Sequence, residues 1–297
     1  MMNLGPHASK RLALGTVQFG MPYGLANNQG QVACDDAAAI ITRATTAGID
    51  TLDTAVAYGT AERCLGEIGV SDWRIVTKLP RKPNVAKDVV GWIECTVSES
   101  LARLRVERIY GLMLHQPNEL LSPQGNVLYK ALEKLKESGR IEKIGISVYS
   151  PDEIETICAR YAIDLIQAPF NVLDRRLIET GWLDRLWRDG IELHVRSVFL
   201  QGLLLMSSSA RPVKFRRWQE LWDHWDTWLG KNNLTPLAAC LRYALSQRGI
   251  SRVIVGVDSL IQFEQILKAA EGDLLPQSDG LYSNDLDLLN PARWALI

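Results

Sequence analysis

Residues 14–20 of the chain are Leu14-Gly15-Thr16-Val17-Gln18-Phe19-Gly20, an apolar run followed by a segment that contains glycine. A doubly wound parallel sheet that binds a dinucleotide carries the pattern G-x-G-x-x-G in this position, directly after its first strand. Gly15 and Gly20 have the spacing of its outer glycines, but Val17 stands where the middle glycine is needed, and no other segment of the sequence fits the pattern. The stretch therefore favours a (β/α)8 barrel, also called a TIM barrel, over a doubly wound sheet.

The rest of the chain alternates short apolar runs with longer amphipathic ones, which is typical of repeated βα units. The predicted strands are Leu12–Thr16, Ile49–Thr54, Ile75–Lys78, Gly111–His115, Lys143–Ser147, Leu165–Ala168, Glu192–Ser197 and Val253–Gly256. The predicted helices lie near 35–47, 60–69, 87–104, 125–138, 151–160, 177–188, 236–247 and 259–270. No linker divides the chain, so we expect residues 1–297 to form a single α/β barrel domain, with residues 1–10 prone to disorder and 271–297 as a C-terminal tail.

The composition is that of an ordinary soluble protein. Apolar residues make up 47% of the chain and charged residues 23%, and the net charge of −1 gives no argument for binding nucleic acid or an anionic membrane. No run of about 18 apolar residues and no signal peptide is visible. We therefore expect a cytoplasmic protein with no nucleic-acid or membrane partner, while its oligomeric state stays open.

The cysteines are odd in number and widely spaced. They are Cys34, Cys64, Cys95, Cys158 and Cys240. No C-x-x-C pair is present, so the spacing indicates neither a zinc site nor a disulfide framework. We expect reduced, mostly buried thiols.

Four polar side chains fall at or just after the carboxyl ends of consecutive predicted strands. Asp53 ends the second strand, Tyr58 follows in its loop, Lys78 ends the third strand and His115 the fourth. In (β/α)8 enzymes this end of the barrel carries the reactive groups. The sequence therefore predicts that a carboxylate, a phenol, an amine and an imidazole converge at one rim.

This set of groups suits the reduction of a carbonyl without a metal. Hydride arriving at a carbonyl carbon creates an alkoxide that needs a proton, and the Lys78 ammonium is expected to lower the pKa of the donor Tyr58. Asp53 would hold Lys78 in place, and His115 would orient the substrate carbonyl by a hydrogen bond. A metal-dependent hydrolase would need more strand-end His and Asp residues than Asp53 and His115.

The sequence resembles the aldo-keto reductase superfamily over nearly the whole predicted barrel. The stretch from Leu52 to Glu62 is similar to the motif D-T-A-x-x-Y-G-x-x-E, Val76-Thr77-Lys78 to its lysine motif, and Leu112-Met113-Leu114-His115 to L-x-L-H. Further matches follow in the same order. They are Ile144–Ser147, Ile166-Gln167 with Asn171, Gln201–Leu204 and Val253–Gly256. The resemblance implies Asp53, Tyr58, Lys78 and His115 as the catalytic group.

The resemblance also implies a nicotinamide cofactor, NADP(H) with NAD(H) as the alternative, extended across the barrel mouth. Ser147 and Gln167 would hold the carboxamide, although Val148 replaces the usual asparagine. Arg196 replaces the tyrosine that stacks on the nicotinamide ring, and a guanidinium there would disfavour the oxidised cofactor and favour reduction. The alternative is that Arg196 turns aside into a salt bridge.

The remaining cofactor contacts are assigned by the same resemblance. Ser197, Leu200 and Gln201 would line the pyrophosphate, and Gly202 would allow close backbone approach. Gly256, Asp258, Gln262 and Gln265 form the loop that would hold the adenosine ribose. Gln262 stands where a basic residue would meet the 2′-phosphate, and Asp258 adds a carboxylate, two departures that weaken the expected preference for NADP(H).

The expected activity is the reduction of a small, sugar-like aldehyde or ketone. Two alternatives are an NAD-dependent sugar dehydrogenase working in the oxidative direction and a regulatory subunit that binds NADPH with little turnover.

A tryptophan-rich segment at 216–229 places Trp218, Leu221, Trp222, Trp225 and Leu229 on one helical stripe, which predicts an extra helix packed against the barrel. A role in covering the active site or pairing with a second subunit is the alternative for this segment.

Overall fold

A computed structural model of the protein describes residues 8–27, 29–83, 88–276, 278 and 280–297, and it contains a closed barrel of parallel strands. The strands are β1 (Leu12–Gly15), β2 (Thr51–Asp53), β3 (Arg74–Leu79), β4 (Ile109–Leu114), β5 (Ile141–Ser147), β6 (Leu165–Pro169), β7 (Glu192–Arg196) and β8 (Arg252–Gly256). Each strand pairs with the next in chain order, and β8 pairs with β1. The predicted (β/α)8 barrel is confirmed.

The pairing register brings the strand ends to one rim. Gly15 of β1 lies opposite both Asp53 of β2 and Gly256 of β8. Ser147 of β5 is likewise opposite Gln167 of β6. Because all strands run in the same direction, their carboxyl ends, which carry the predicted site residues, share this rim.

Helices alternate with the strands. They are α1 (Val17–Gly20), α2 (Cys34–Thr46), α3 (Ala61–Ile68), α4 (Val89–Leu104), α5 (Gly125–Glu137), α6 (Pro151–Cys158), α7 (Arg176–Glu179), α8 (Trp182–Arg188), α9 (Gln219–Lys231), α10 (Pro236–Ser246), α11 (Leu260–Ala270) and α12 (Leu286–Leu289). Helix α2 shows why they cover the barrel, since Ala37, Ile40, Ile41 and Ala44 are buried at the spacing of one helical face.

Local chemistry sets several helix boundaries. The Ser150 side chain and Glu153 form a capping box at the start of α6, with Pro151 as the first helical residue. The single helix predicted near 177–188 is instead two short helices, α7 and α8. Gly181 between them has a φ of 75°, a left-handed conformation that interrupts the helix and suits glycine.

The tryptophan-rich segment forms a 3-10 turn at Val213–Trp218 followed by α9. Trp222 and Trp225 are fully buried, and Trp228 stacks on Trp225 with ring centroids 5.7 Å apart. The C-terminal tail packs on the same segment, with the ring of Trp294 edge-on to Phe215 at 4.9 Å. The prediction of an additional packed helix is confirmed.

Two other expectations concern the chain ends and the membrane. The disorder expected for residues 1–10 lies largely outside the described residues, but Ala8–Arg11 form a 3-10 helix. In the described part of the chain, no helix combines the length and apolarity that a membrane crossing requires.

The cysteine prediction is wrong for one pair. Cys34, at the start of α2, and Cys64, in α3, form a disulfide with their Cα atoms 5.8 Å apart. Cys95, Cys158 and Cys240 are free, but Cys95 is exposed and Cys158 partly exposed, so the expectation of mostly buried thiols is also wrong. Sequence spacing could not indicate the bond, because its partners are 30 residues apart and meet only where two neighbouring helices pack around the barrel.

Candidate active site

A buried ion pair joins the ends of β2 and β3. The Lys78 ammonium donates to Oδ1 of Asp53 at 2.7 Å and to the carbonyl oxygen of Thr54 at 2.9 Å. The Lys78 side chain is fully buried, so its charge depends on these partners. Burial lowers the pKa of Lys78, while the adjacent Asp53 carboxylate acts in the opposite direction. The pair is fixed within the barrel.

Tyr58 and His115 lie beside this pair. The Lys78 nitrogen is 5.1 Å from the centre of the Tyr58 ring, and the rings of Tyr58 and His115 are 6.1 Å apart and nearly perpendicular. The loop after β2 holds Tyr58 in position, since its backbone N–H donates to the carbonyl of Ala55 at 3.0 Å. The four predicted catalytic side chains therefore meet at one point on the rim.

The expected lowering of the Tyr58 pKa is wrong for this arrangement. Burial raises the pKa of Tyr58 well above its usual value, and the negative charge of Asp53 raises it further, whereas Arg196 acts in the opposite direction. The ammonium of Lys78 is held by Asp53, so much of its charge is compensated. Tyr58 is consequently held as a protonated phenol.

The pKa of His115 is shifted in the opposite direction, downward. Burial, followed by the positive charge of Lys78, lowers its pKa to about 4. The imidazole is therefore neutral near neutral pH, and it can donate a hydrogen bond to an oxygen without giving up a proton. This property suits the orienting role predicted for it.

Gln167 has a role that the sequence did not indicate. Its amide nitrogen donates to Oδ1 of Asp53 at 2.7 Å, the same oxygen that accepts from Lys78. Gln167 also lines the cavity at the barrel mouth. The residue predicted to hold a carboxamide thus also fixes the orientation of the carboxylate.

A groove of about 360 Å³ runs from this catalytic group across the barrel mouth. Its walls come from β1 and the segment after it, from the segment after β7, and from the start of α11. The predicted site residues that line it are Asp53, Tyr58, Gln167, Arg196, Ser197, Gln201, Gly202, Gly256, Gln262 and Gln265. The other predicted site residues are not among its lining residues; they are Lys78, His115, Ser147, Leu200 and Asp258.

The backbone after β7 is unusual. Ser197, Leu200 and Gln201 have φ values of 61°, 48° and 53°, in the left-handed region that non-glycine residues seldom adopt. Gly202 follows with a φ of 89°, and a Cβ there would lie 2.6 Å from the Cβ of Ala26. Asn171 supports the segment by donating to the carbonyl of Ser197 at 3.1 Å. Such strain is usual where backbone is shaped to receive a ligand.

The groove also contains an unsatisfied acceptor that fits a polar cofactor. Oε1 of Gln18 is buried and has no hydrogen-bond partner. Gln18 lies against Gly256, where a Cβ would approach its amide to 2.6 Å. A buried acceptor without a donor costs free energy that a ligand donor would recover. The cleft therefore fits the nicotinamide cofactor that the resemblance implies.

Arg196 does not form a salt bridge with any carboxylate in the described part of the chain. Its guanidinium lies 4.3 Å from the centre of the Tyr149 ring and donates to the carbonyl of Val148 at 3.0 Å. The planar group therefore faces the mouth beside the catalytic residues, with Tyr149 on one side.

The far end of the groove, lined by Asn27 and Gln262, is polar, and the carboxylate of Asp258 is hydrogen-bonded to Asn27 without lining the groove itself. The side-chain amide of Asn27 donates to Asp258 at 3.0 Å, and the backbone N–H of Asp258 donates to Gln262 at 2.9 Å. Among the described residues that line the groove, Arg196 is the one lysine or arginine. It lies at the catalytic end, so the described lining residues at the Asn27 end include no lysine or arginine.

Sequence analysis missed several groove residues. Gln18, Tyr23 and Asn27 follow β1 and line the groove, and Tyr23 accepts a hydrogen bond from Gln201 at 3.3 Å. Tyr149 is not a lining residue, but its ring packs on Arg196. Gln18 lies in α1, and the other three belong to loops whose conformation no local pattern specifies. The one available signal was the general rule that βα loops at this rim build the site.

The barrel, the buried Lys78–Asp53 pair and the adjacent Tyr58 and His115 have the arrangement that the sequence resemblance implies. The aldo/keto reductase family model matches residues 11–280, and the chain belongs to that family.

Two relatives with sugar substrates in their names match most of the chain. L-galactose dehydrogenase of Arabidopsis thaliana is 28% identical over 81% of this chain and 79% of its own length. D-threo-aldose 1-dehydrogenase of a Pseudomonas species is 28% identical over 82% of this chain and 86% of its own length.

A third relative reduces a small carbonyl compound, and a solved structure shares the fold. The NADH-specific methylglyoxal reductase of Escherichia coli is 24% identical over 87% of this chain and 89% of its own length. The holo form of an aldo-keto reductase from Bacillus halodurans superposes with a TM-score of 0.72 at 24% identity, covering 90% of this chain and 88% of that one.

Proposed function

We propose that this chain reduces a small aldehyde or ketone, such as an open-chain sugar, to an alcohol, with a nicotinamide cofactor as the hydride donor. The observation that carries the proposal is the position of Tyr58 beside His115 and the buried Lys78–Asp53 pair at the mouth of the groove. The family and the carbonyl and sugar substrates named for the relatives support the same reaction class.

Each residue of the group has a distinct task in this proposal. The carbonyl oxygen lies between Tyr58 and His115, where neutral His115 donates a hydrogen bond that polarises it. Tyr58 gives its phenolic proton to the oxygen as negative charge develops there. The Lys78 ammonium then stabilises the phenolate, and Asp53 keeps the ammonium in place. Gln167 and Arg196 would lie against the nicotinamide, which supplies the hydride when bound.

The same electrostatics favours reduction over oxidation. Oxidation of an alcohol requires Tyr58 to accept a proton, and so to begin as a phenolate, which its raised pKa disfavours. Arg196 adds a positive charge that opposes the positively charged oxidised nicotinamide. The dehydrogenase names of two relatives keep sugar oxidation as the second candidate.

The cofactor we propose is NAD(H), although the resemblance implied NADP(H). The Asn27 end of the groove presents side-chain amides, with the Asp258 carboxylate hydrogen-bonded to Asn27 next to it, and Arg196, the one described lining cation, lies at the other end. A carboxylate accepts hydrogen bonds from ribose hydroxyls and repels a 2′-phosphate. The NADH-specific name of the Escherichia coli relative supports the same preference.

Replacement of Tyr58 tests the reaction. Tyr58→Phe removes the proton donor, so we expect kcat/KM for short aldehydes to fall by about 100- to 10,000-fold. Cofactor affinity, measured by quenching of tryptophan fluorescence, should stay within a few-fold. The matched control is Tyr129→Phe, because the Tyr129 hydroxyl donates a hydrogen bond to the Ala162 carbonyl on the outer surface. A Tyr58→Phe variant that kept most of its turnover would rule out the proposed proton donor.

Coenzyme titration tests the cofactor. We expect NADH to bind at least about tenfold more tightly than NADPH, because charge repulsion of this kind costs on the order of 1 kcal/mol or more. Asp258→Asn should raise NADPH affinity and lower NADH affinity, because it removes both the repulsion of the 2′-phosphate and a charged acceptor for the ribose hydroxyls, whereas the exposed Asp72→Asn should change neither. Tight binding of NADPH without turnover on any aldehyde would instead favour the regulatory-subunit alternative.

A further inference from the structure

The Cys34–Cys64 disulfide lies close to the loop that carries Tyr58. Cys34 is the first residue of α2, and Cys64 lies in the first turn of α3, which follows that loop directly. Thr60 joins the loop to the helix, since the backbone N–H of Cys64 donates to its carbonyl at 3.0 Å. The bond therefore ties the start of α2 to the end of the catalytic loop.

Short contacts continue from the disulfide to the reactive residue. The N–H of Ala61 donates to the carbonyl of Tyr58 at 3.0 Å. Gly59 packs so closely on α1 that a Cβ there would lie 2.3 Å from the carbonyl of Gly20. Gln31 bridges the segments by donating to the Phe19 carbonyl and the Thr60 hydroxyl, each at 3.0 Å. The disulfide, α1 and the Tyr58 loop thus form one packed unit.

The bond is accessible to small reagents. Cys34 is partly exposed, and an open cavity of about 230 Å³ borders both sulfur-bearing residues, with Gln31, Arg63 and Glu67 on its walls. The surroundings of the three free cysteines disfavour the reactive thiolate form. Burial raises the pKa of Cys158 and Cys240, and hydrogen bonding to Glu99 raises the pKa of Cys95.

We propose that Cys34 and Cys64 form a reversible redox site that braces the Tyr58 loop when oxidised. In the forward step a peroxide oxidises the two thiols, which lose two protons and two electrons to form the S–S bond. Hydrogen peroxide accepts both and is converted to two water molecules. A dithiol reductant reverses the reaction by exchange, becoming a cyclic disulfide as the two thiols are restored. Nothing in the proposed carbonyl reduction requires this chemistry.

The test uses the full-length protein in both redox states. After reduction by dithiothreitol and desalting, equimolar hydrogen peroxide should remove two hydrogens from the protein mass, and proteolysis should yield a linked Cys34–Cys64 peptide. Oxidation should raise Tm by about 5 °C, because it cross-links residues 30 apart in sequence. Amide hydrogen exchange over residues 55–64 should slow by about tenfold.

Two variants sharpen the result. Cys34→Ser should lose all of these differences between peroxide and dithiothreitol treatment, and Cys95→Ser, which alters an exposed free thiol, should retain them. The proposal is overturned if dithiothreitol leaves the bond intact in the folded protein, if peroxide does not re-form it, or if exchange over 55–64 is the same in both states. Because wild-type protein gives every readout, a variant that failed to fold would not affect the decision.

Discussion

At the scale of single residues, one carboxylate oxygen organises the site. Oδ1 of Asp53 accepts hydrogen bonds from both Lys78 and Gln167. Gln167 thus fixes the carboxylate, and the carboxylate fixes the Lys78 ammonium. This arrangement keeps a charge inside the barrel at the cost of weakening the direct effect of that charge on Tyr58. In the proposed reaction the phenol would then stay protonated until an alkoxide forms next to it.

The low pKa of His115 leads to a prediction about pH. Since that pKa is about 4 in the folded chain, His115 does not change its charge near pH 6.5. The pH profile of kcat/KM around pH 6.5 should therefore have the same shape in the wild type and in His115→Gln. Unfolded His115 has its ordinary pKa of 6.5 and binds a proton first, so the free energy of unfolding should fall between pH 6.5 and about 4. Urea unfolding across this range should show a smaller decline in His115→Gln, and equal declines would contradict the assignment.

The positions of Asp53, Tyr58, Lys78 and His115 could be predicted from sequence because each follows a recognisable apolar run and the barrel brings strand ends together. Their protonation states could not. Those depend on burial and on the Gln167–Asp53 hydrogen bond, which joins residues 114 apart in sequence.

At the scale of elements, periodicity predicted α9 but not all of its contacts. Trp228 was outside the expected stripe, yet it is 7% exposed and stacks on Trp225. The break between α7 and α8 was missed because Gly181 is one residue within an otherwise helical pattern. The Cys34–Cys64 bond was missed because it depends on how two helices pack.

Helix α9 offers a stability prediction. Trp222 is 1% exposed, and its indole N–H donates to the Phe215 carbonyl at 2.8 Å. Trp222→Ala would remove a large buried side chain and leave that carbonyl without its donor. We expect a loss of about 3–5 kcal/mol in the free energy of unfolding, measured by urea denaturation. Trp187→Ala, at a residue 48% exposed, should cost under about 1 kcal/mol, and similar costs for both would argue against the packing described.

At the scale of the whole molecule, the two rims of the barrel carry different kinds of residue. Near the amino ends of the strands, Arg252 of β8 donates to Thr51 and to Asp50, which connects β8 to β2 across β1. Groups there join strands, whereas the opposite rim holds the groove and the reactive side chains. The closed barrel was predictable from repeated βα units, but the loops that shape the groove were not.

The left-handed turn from Ser197 to Gly202 has a consequence for how a dinucleotide would arrive. Its shape is maintained by the protein itself, through Asn171 and close packing on Ala26. The segment would already have its binding conformation when a ligand arrives, so little binding free energy would be lost in ordering the protein. Association should then be fast, and the dissociation rate should depend on how well the two ends of the dinucleotide fit the groove.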